Sequence, residues 1–316
     1  MKICVIGGTG FVGTQLITTL VAQGHSIKVI TRRPERNRHL KTLPNVKVMS
    51  IDFFGNKVLE RQIDTYDVVI NLAGILNPSG KNTFEQVHEN IALRVAQATQ
   101  AVGTPRFLHM SALHADANGP SEYLRSKGRA VNKILAIEGL NTTIFSPSVI
   151  FGHGDSFFNR FAQLLNMMPI VFPLTCASAR FAPVYVGDVV DAFINSIDKP
   201  ETYGKNYALC GPQTYSLQEL VQYTAQQINS KCLIVPLNRF ISKPLAFMMG
   251  LFPGAPITLD NFNSMSVHST CSNESQNEFT QILNVQLHSI DSVVPAYLAG
   301  RDFTGQMDVF RSQSRR

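Results

Sequence analysis

A chain of 316 residues, 44% of them apolar, is long enough for one large α/β domain or a domain with a smaller lobe, and its composition excludes a disordered or fibrous protein. The net charge of +6 rests on only 16% charged residues, and with no aromatic interleaving or reading motif it argues against nucleic-acid binding. Five scattered cysteines (Cys4, Cys176, Cys210, Cys232, Cys271) form no C-x-x-C pair. They predict buried free thiols in a reducing compartment, with neither a disulfide frame nor a metal site.

Residues 2–6 read as a short apolar strand. Gly7, Gly8, Thr9, Gly10, Phe11, Val12 and Gly13 follow at once, and residues 14–21 carry apolar side chains at helical spacing. Strand, glycine turn and helix are how a dinucleotide-binding βαβ unit opens. Gly7 lets the chain turn off the strand, Gly10 lets the backbone approach a pyrophosphate, and Gly13 lets the helix pack close to the sheet. The free N–H groups and positive end of that helix then face the phosphates. Gly7, Thr9, Gly10, Phe11, Val12 and Gly13 are the expected cofactor contacts here.

Residues 26–31 predict strand two, closed by Arg32, Arg33 and Pro34, and residues 46–51 strand three, closing at Asp52. A carboxylate at the end of strand two would bind the ribose 2′-hydroxyl of NAD. Arginines stand there instead, and they favour a 2′-phosphate through a charge-assisted fork, hence NADP(H), with NAD(H) the alternative. A solvated basic loop, joining Arg36, Arg38 and Lys41, is the plain reading of the same residues. Asp52 could accept from an adenine amino group or cap a helix, with Phe53 beside it. Residues 68–74 predict strand four and its exit, where Leu72, Ala73 and Gly74 would form a cofactor wall.

Residues 83–100 form a long amphipathic pattern and 106–111 strand five; 121–138 predict a helix and 142–145 strand six. This alternation implies a Rossmann-type, doubly wound parallel sheet over residues 1–150. From residue 151 to 316 prolines break the rhythm. One further strand (184–186) precedes helices at 188–197, 216–228, 241–251 and 257–265, with 273–299 mostly helical. This smaller, mainly helical C-terminal lobe is expected to interleave with the sheet and cover its substrate side.

Tyr123 and Lys127 lie four apart on one helix face, where an ammonium would lower the phenol's pKa and ready it for proton transfer. Ser111, at the neighbouring strand end, could hold a substrate oxygen.

With these residues the chain resembles the short-chain dehydrogenase/reductase superfamily, in its extended or atypical, epimerase/dehydratase-like branch. The resemblance implies that Ser111, Tyr123 and Lys127 match the catalytic triad and that Asn71, Ala73 and Gly74 match the strand-four cofactor wall. It implies that Asn90 matches the helix asparagine that supports the lysine through water. Residues 147–152, with Pro147 and Val149, look like the segment that passes the nicotinamide, and residues 184–190 like another motif of this branch. A narrower resemblance is to the NADPH-binding accessory subunits of respiratory complex I (alpha-subcomplex subunit 9 type) and their bacterial relatives. It rests on Ser111-Ala112-Leu113, Tyr123-Leu124-Arg125-Ser126-Lys127, residues 253–260 and residues 294–298. The chain departs from that pattern at His114, at Ala130-Val131 and at Ser146.

The expected function is that of an NAD(P)H-binding reductase relative whose cofactor is structural or turned over slowly. Rival readings are an active NADP-dependent oxidoreductase on a carbonyl or hydroxyl, and a nucleotide-sugar epimerase or dehydratase. The resemblance implies a membrane-associated protein complex or a lipid- or quinone-like molecule as partner. Residues 247–252 could touch such a partner or lie in a core; His109, His114 and Arg180 could serve a substrate or be structural. Met1 leads straight into strand one, and no stretch approaches the ~20 apolar residues of a spanning helix. A cytoplasmic chain is therefore expected, peripheral on the inner membrane face if it docks there.

Overall fold

Parallel strands covered on both faces need near-continuous apolar runs, and the amino-terminal strands have them. In the computed structural model β1 (Lys2–Ile6) and β4 (Val68–Asn71) are buried almost throughout. The structure describes residues 1–32, 34, 38–55, 57–80, 82–238, 242 and 258–298. β2 (Ser26–Ile30), β3 (Val46–Met49), β5 (Arg106–Met110) and β6 (Thr142–Pro147) join them, with Lys205–Leu209 as a seventh strand. All pairings are parallel. The order runs from Lys205–Leu209 through β6, β5, β4, β1 and β2 to β3. The direction of winding reverses between β1 and β4, which is where such sheets open a ligand crevice.

The seventh strand lies outside the six expected from sequence. It pairs Lys205–Leu209 with residues 143–147 of β6, while its first two residues are exposed, which hides the apolar pattern of a buried strand.

Two compact units interleave in sequence. The first comprises Met1–Pro147, Gly187–Leu209 and Ser272–Gln286. Its helices include α1 (Phe11–Ala22), Ala92–Ala101 and Glu122–Leu135. The last two meet the sheet in a core of Val69, Val95, Phe107, Val131, Ile134 and Ile144, while α1 buries Leu16, Ile17 and Leu20. Ser121 caps the Glu122–Leu135 helix by accepting from the Leu124 N–H at 3.2 Å. The long helix expected over 83–100 is two pieces: a widened π-helical turn, Glu85–Ile91, then an α-helix, Ala92–Ala101.

The second unit comprises Ser148–Val186, Cys210–Cys271 and the chain from Leu287 on. Helices Phe158–Met167, Leu217–Gln227 and Ile290–Leu298 bury Phe158, Ala162, Leu220, Ile290 and Val294 together. Short strand pairs accompany them: Ile150–Phe151 with Val184–Tyr185, and Val171–Leu174 with Leu233–Pro236. The expected helical stretch 273–299 is instead Asn273–Leu283 and Ile290–Leu298, interrupted after Asn284, whose left-handed backbone (φ +51°) ends the first helix. The helix expected at 241–251, the apolar run 247–252 and most of 253–260 lie outside the described residues.

One expectation is overturned. Cys210 and Cys271 form a disulfide, with Cα atoms 6.0 Å apart, while Cys4, Cys176 and Cys232 are free thiols. The 61-residue separation carried no sign of the pair, because the fold alone brings the two together. Among the described residues no helix is long and apolar enough to cross a membrane.

Candidate active site

The crevice at the winding reversal is built from loops that leave β1, β2 and β4. Gly7 turns the chain with φ +73°, and a Cβ there would lie 2.8 Å from the backbone of Ala73, so only glycine fits. Gly13 meets the backbone of Gly8 in the same way, a Cβ falling 2.5 Å from Gly8 Cα, which lets α1 sit against the loop. Gly10 is different. It has ordinary extended backbone (φ −80°, ψ 179°), and a Cβ there would meet only the Gly7 carbonyl, at 3.7 Å. Its missing side chain therefore serves the open space in front of α1, where the first N–H groups of the helix point. Gly8, which sequence reasoning passed over, is wedged against Ile17 and Val5.

A cavity of about 250 Å³ lies there, lined by Gly7, Thr9, Gly10, Thr31, Arg32, Phe53, Leu72, Ala73 and Gly74, with Ile6, Ile30, Val87 and Ile91 as its apolar floor. Most of the expected cofactor contacts thus meet in one place. Phe11 and Val12 begin α1, with Val12 buried. Thr9 and Thr31 share a hydroxyl hydrogen bond of 3.1 Å across the mouth. Arg32 is exposed at the rim and donates to the Asn82 side chain. Arg33 lies outside the described residues.

Asp52 caps no helix: its carboxylate accepts from the Phe54 N–H at 2.9 Å in a local turn, and the next helix, Val58–Ile63, starts at Lys57. Arg94, also missed from sequence, steadies this turn by donating to the carbonyls of Phe53 and Gly55.

At the β4 exit, buried Asn71 accepts from the Ala73 N–H at 3.1 Å and donates to His109 Nδ1 at 3.1 Å. The buried His109 ring therefore carries its proton on Nε2, and that N–H has no partner among the described residues. Its position inside the sheet makes it part of the scaffold. His114 is exposed in a left-handed turn (φ +55°), and Arg180 is exposed in the second unit.

Ser111, Tyr123 and Lys127 occupy the β5 end and the Glu122–Leu135 helix. Ser111 Oγ is buried with no partner among the described residues, an orphaned hydroxyl suited to a ligand oxygen. Lys127 is buried and donates to the Met110 carbonyl at 3.0 Å, and burial pulls its pKa down to about 8. Tyr123 packs edge-on to Phe84 and His88, and burial pushes its phenol up to about 12. The expected lowering of the phenol's pKa by the lysine is therefore not what the structure shows. Desolvation dominates the phenol, and the ammonium is spent on a backbone carbonyl.

The Asn90 amide donates to Gln86 Oε1 at 3.2 Å, one turn earlier in the chain. His88 comes close to the lysine. A Cβ on Gly74 would lie 3.5 Å from Lys127 Nζ and 3.8 Å from His88 Nε2, so both converge on the β4 exit. Burial, then the Lys127 charge, lowers His88 to about 2, so it is a neutral imidazole. Pro147 ends β6 and its carbonyl accepts from Leu113 N–H at 2.9 Å, while Val149 belongs to the second unit, its carbonyl accepting from Val184 N–H at 3.0 Å.

Residues 7–154 match a family model described as NAD(P)H-binding. The chain is 30% identical over 260 residues to the mitochondrial NADH dehydrogenase (ubiquinone) 1 alpha subcomplex subunit 9 of Mus musculus, covering 80% of this chain and 68% of that protein. It is 29% identical over 245 residues to the mitochondrial NADH-ubiquinone oxidoreductase 40 kDa subunit of Neurospora crassa, covering 77% of this chain and 64% of that protein. The chain thus spans about two thirds of the length of these relatives. Among solved structures, a UDP-glucuronic acid 4-epimerase from Bacillus cereus superposes with a TM-score of 0.73 at 16% identity, over 94% of this chain and 98% of that one, a likeness of fold.

Proposed function

Because the chain belongs to the NAD(P)H-binding family of the complex I alpha subcomplex subunit 9 proteins, within the extended short-chain dehydrogenase/reductase fold, we propose that it holds NADP(H) as a bound, structural or slowly used part. The observation that carries this reading is the contrast inside the site. The glycine loop is open toward its cavity, while Tyr123 is held protonated by burial and Lys127 is engaged by Met110.

The residues present fit a dinucleotide. Gly7, Gly10 and the first turn of α1 would take the pyrophosphate, the Phe53 loop the adenine end, and Leu72, Ala73 and Gly74 the ribose wall. Arg32 supports NADP(H) over NAD(H), since a charged hydrogen bond to a 2′-phosphate contributes about 1.5–3 kcal/mol. A nicotinamide supplies or accepts a hydride when bound. In the structural case Tyr123 moves no proton and Lys127 serves as a hydrogen-bond donor. By analogy with the relatives, subunits of a ubiquinone-linked NADH dehydrogenase, the partner is a protein complex or a quinone-like molecule.

A second reading, an active oxidoreductase on a carbonyl or hydroxyl, is favoured by one observation: the orphaned Ser111 hydroxyl. There Ser111 would hold the substrate oxygen and Tyr123 would pass it a proton. Tyr123→Phe separates the two. The structural account predicts NADPH affinity within about twofold of wild type and no change in residual NADPH oxidation. A fall in oxidation of a carbonyl or quinone substrate on the order of 100-fold, the loss expected for a missing general acid, establishes the second reading.

A further inference from the structure

His88 is bound on both sides. Its Nε2 accepts from the Ile75 N–H at 3.0 Å, on the loop that leaves β4 through Ala73 and Gly74. Its Nδ1 lies 2.9 Å from Ser126 Oγ, the residue beside Lys127 on the Glu122–Leu135 helix. Ser126 Oγ spends its own proton on the Tyr123 carbonyl at 3.0 Å. Nε2 also lies 3.1 Å from the Ile75 carbonyl oxygen, so the ring joins the loop to the helix in either tautomer: with the proton on Nδ1 it donates to Ser126 and accepts from the Ile75 N–H, and with the proton on Nε2 it donates to the Ile75 carbonyl. The ring also packs edge-on against Tyr123, at 5.5 Å and 84°. Next along the chain, Glu89 fastens the same turn to the same helix, receiving Arg129 at 2.7 Å and Lys133 at 3.1 Å.

We propose that His88 is a positioning residue that couples the β4 ribose wall to the Tyr123–Lys127 helix. The proposal rests on the reading of the cavity as the dinucleotide site. The juxtaposition is specific: one imidazole bridges the wall loop and the helix, and a Cβ on Gly74 would meet Lys127 Nζ at 3.5 Å and His88 Nε2 at 3.8 Å. Losing the Nε2 contact leaves the Ile75 N–H without its acceptor and frees the wall from the helix.

The test uses the full chain and NADPH. A glutamine amide reaches the place of Nε2 and can still accept from Ile75, whereas an asparagine amide reaches only the place of Nδ1. His88→Asn is expected to lose about tenfold in NADPH affinity by calorimetry, and His88→Gln to stay within about threefold of wild type. The two variants are expected to melt at similar temperatures without ligand, and a merely structural role would move both affinities alike. Equal NADPH affinity in wild type and His88→Asn overturns the proposal while leaving the dinucleotide site standing. A wild-type chain that binds no NADPH overturns the reading of the cavity and the proposal with it.

Discussion

The two ends of the candidate site are built on opposite plans. At the glycine-loop end, backbone and small side chains leave a cavity: Gly10 has open space where a side chain would be, and Thr9, Thr31 and Arg32 stand at its edge. At the Tyr123–Lys127 end, the Ser111 hydroxyl apart, the Lys127 and His88 groups are already committed. Lys127 is tied to Met110, His88 is tied to Ile75 and Ser126, and Tyr123 is packed between rings. The first end is organised around something that must arrive; the second is organised around itself. A chain can keep the first arrangement for binding alone, and it needs the second to loosen before it can do proton chemistry.

The largest effects break the first end. Gly13→Val and Gly10→Val add the same atoms three residues apart, with opposite expected outcomes. At Gly13 the new Cβ meets the Gly8 backbone at 2.5 Å, so the fold should lose about 3 kcal/mol or more, read by urea denaturation. At Gly10 the backbone tolerates a side chain and the added atoms fill the cavity. Stability without ligand should be kept, and calorimetry with NADPH should show no binding. A Gly10→Val protein with wild-type affinity would put the phosphate site elsewhere.

The second end is probed by pH. Lys127 titrates near 8 when folded and near the ordinary lysine value, about 10.5, when unfolded. Between these values the unfolded chain binds the extra proton, so raising the pH from about 8 to about 10.5 should stabilise the ligand-free fold, by at most about 3 kcal/mol. Below about pH 8 the buried ammonium is carried at full cost. The contribution is the difference between wild type and Lys127→Met in urea midpoints across that window; parallel curves would show that the ammonium is not desolvated.

A smaller effect sharpens cofactor choice. Arg32→Ala should weaken NADPH by about tenfold and leave NADH within about twofold, measured by fluorescence titration. Equal losses for both cofactors would mean that Arg32 sees no 2′-phosphate.

What could be read from the chain follows the same division. β1, β4 and the glycine loop announce themselves because a strand covered on both faces must be apolar throughout and the turn after it admits only glycine at Gly7 and Gly13. The Tyr123–Lys127 pair is legible because four residues make one helical turn. The strand Lys205–Leu209 was hidden by its exposed first residues, and the disulfide Cys210–Cys271 by the long chain between its ends. The contacts of His88 were not legible because they join a π-helical turn to a loop and a helix distant in sequence, and no residue type marks such a turn. Likewise, the pKa of Tyr123 follows from burial among Phe84 and His88, side chains far from it in sequence, which outweighs the nearby lysine that the spacing emphasised.

The central claim is that the open end holds NADP(H) as a lasting part of the molecule. Native mass spectrometry of the freshly purified chain tests it most directly, by weighing what stays bound. The account predicts about one NADP(H) per chain, lost in Gly10→Val and retained in Tyr123→Phe. A chain that carries NAD(H), a nucleotide sugar or no nucleotide at all would contradict it.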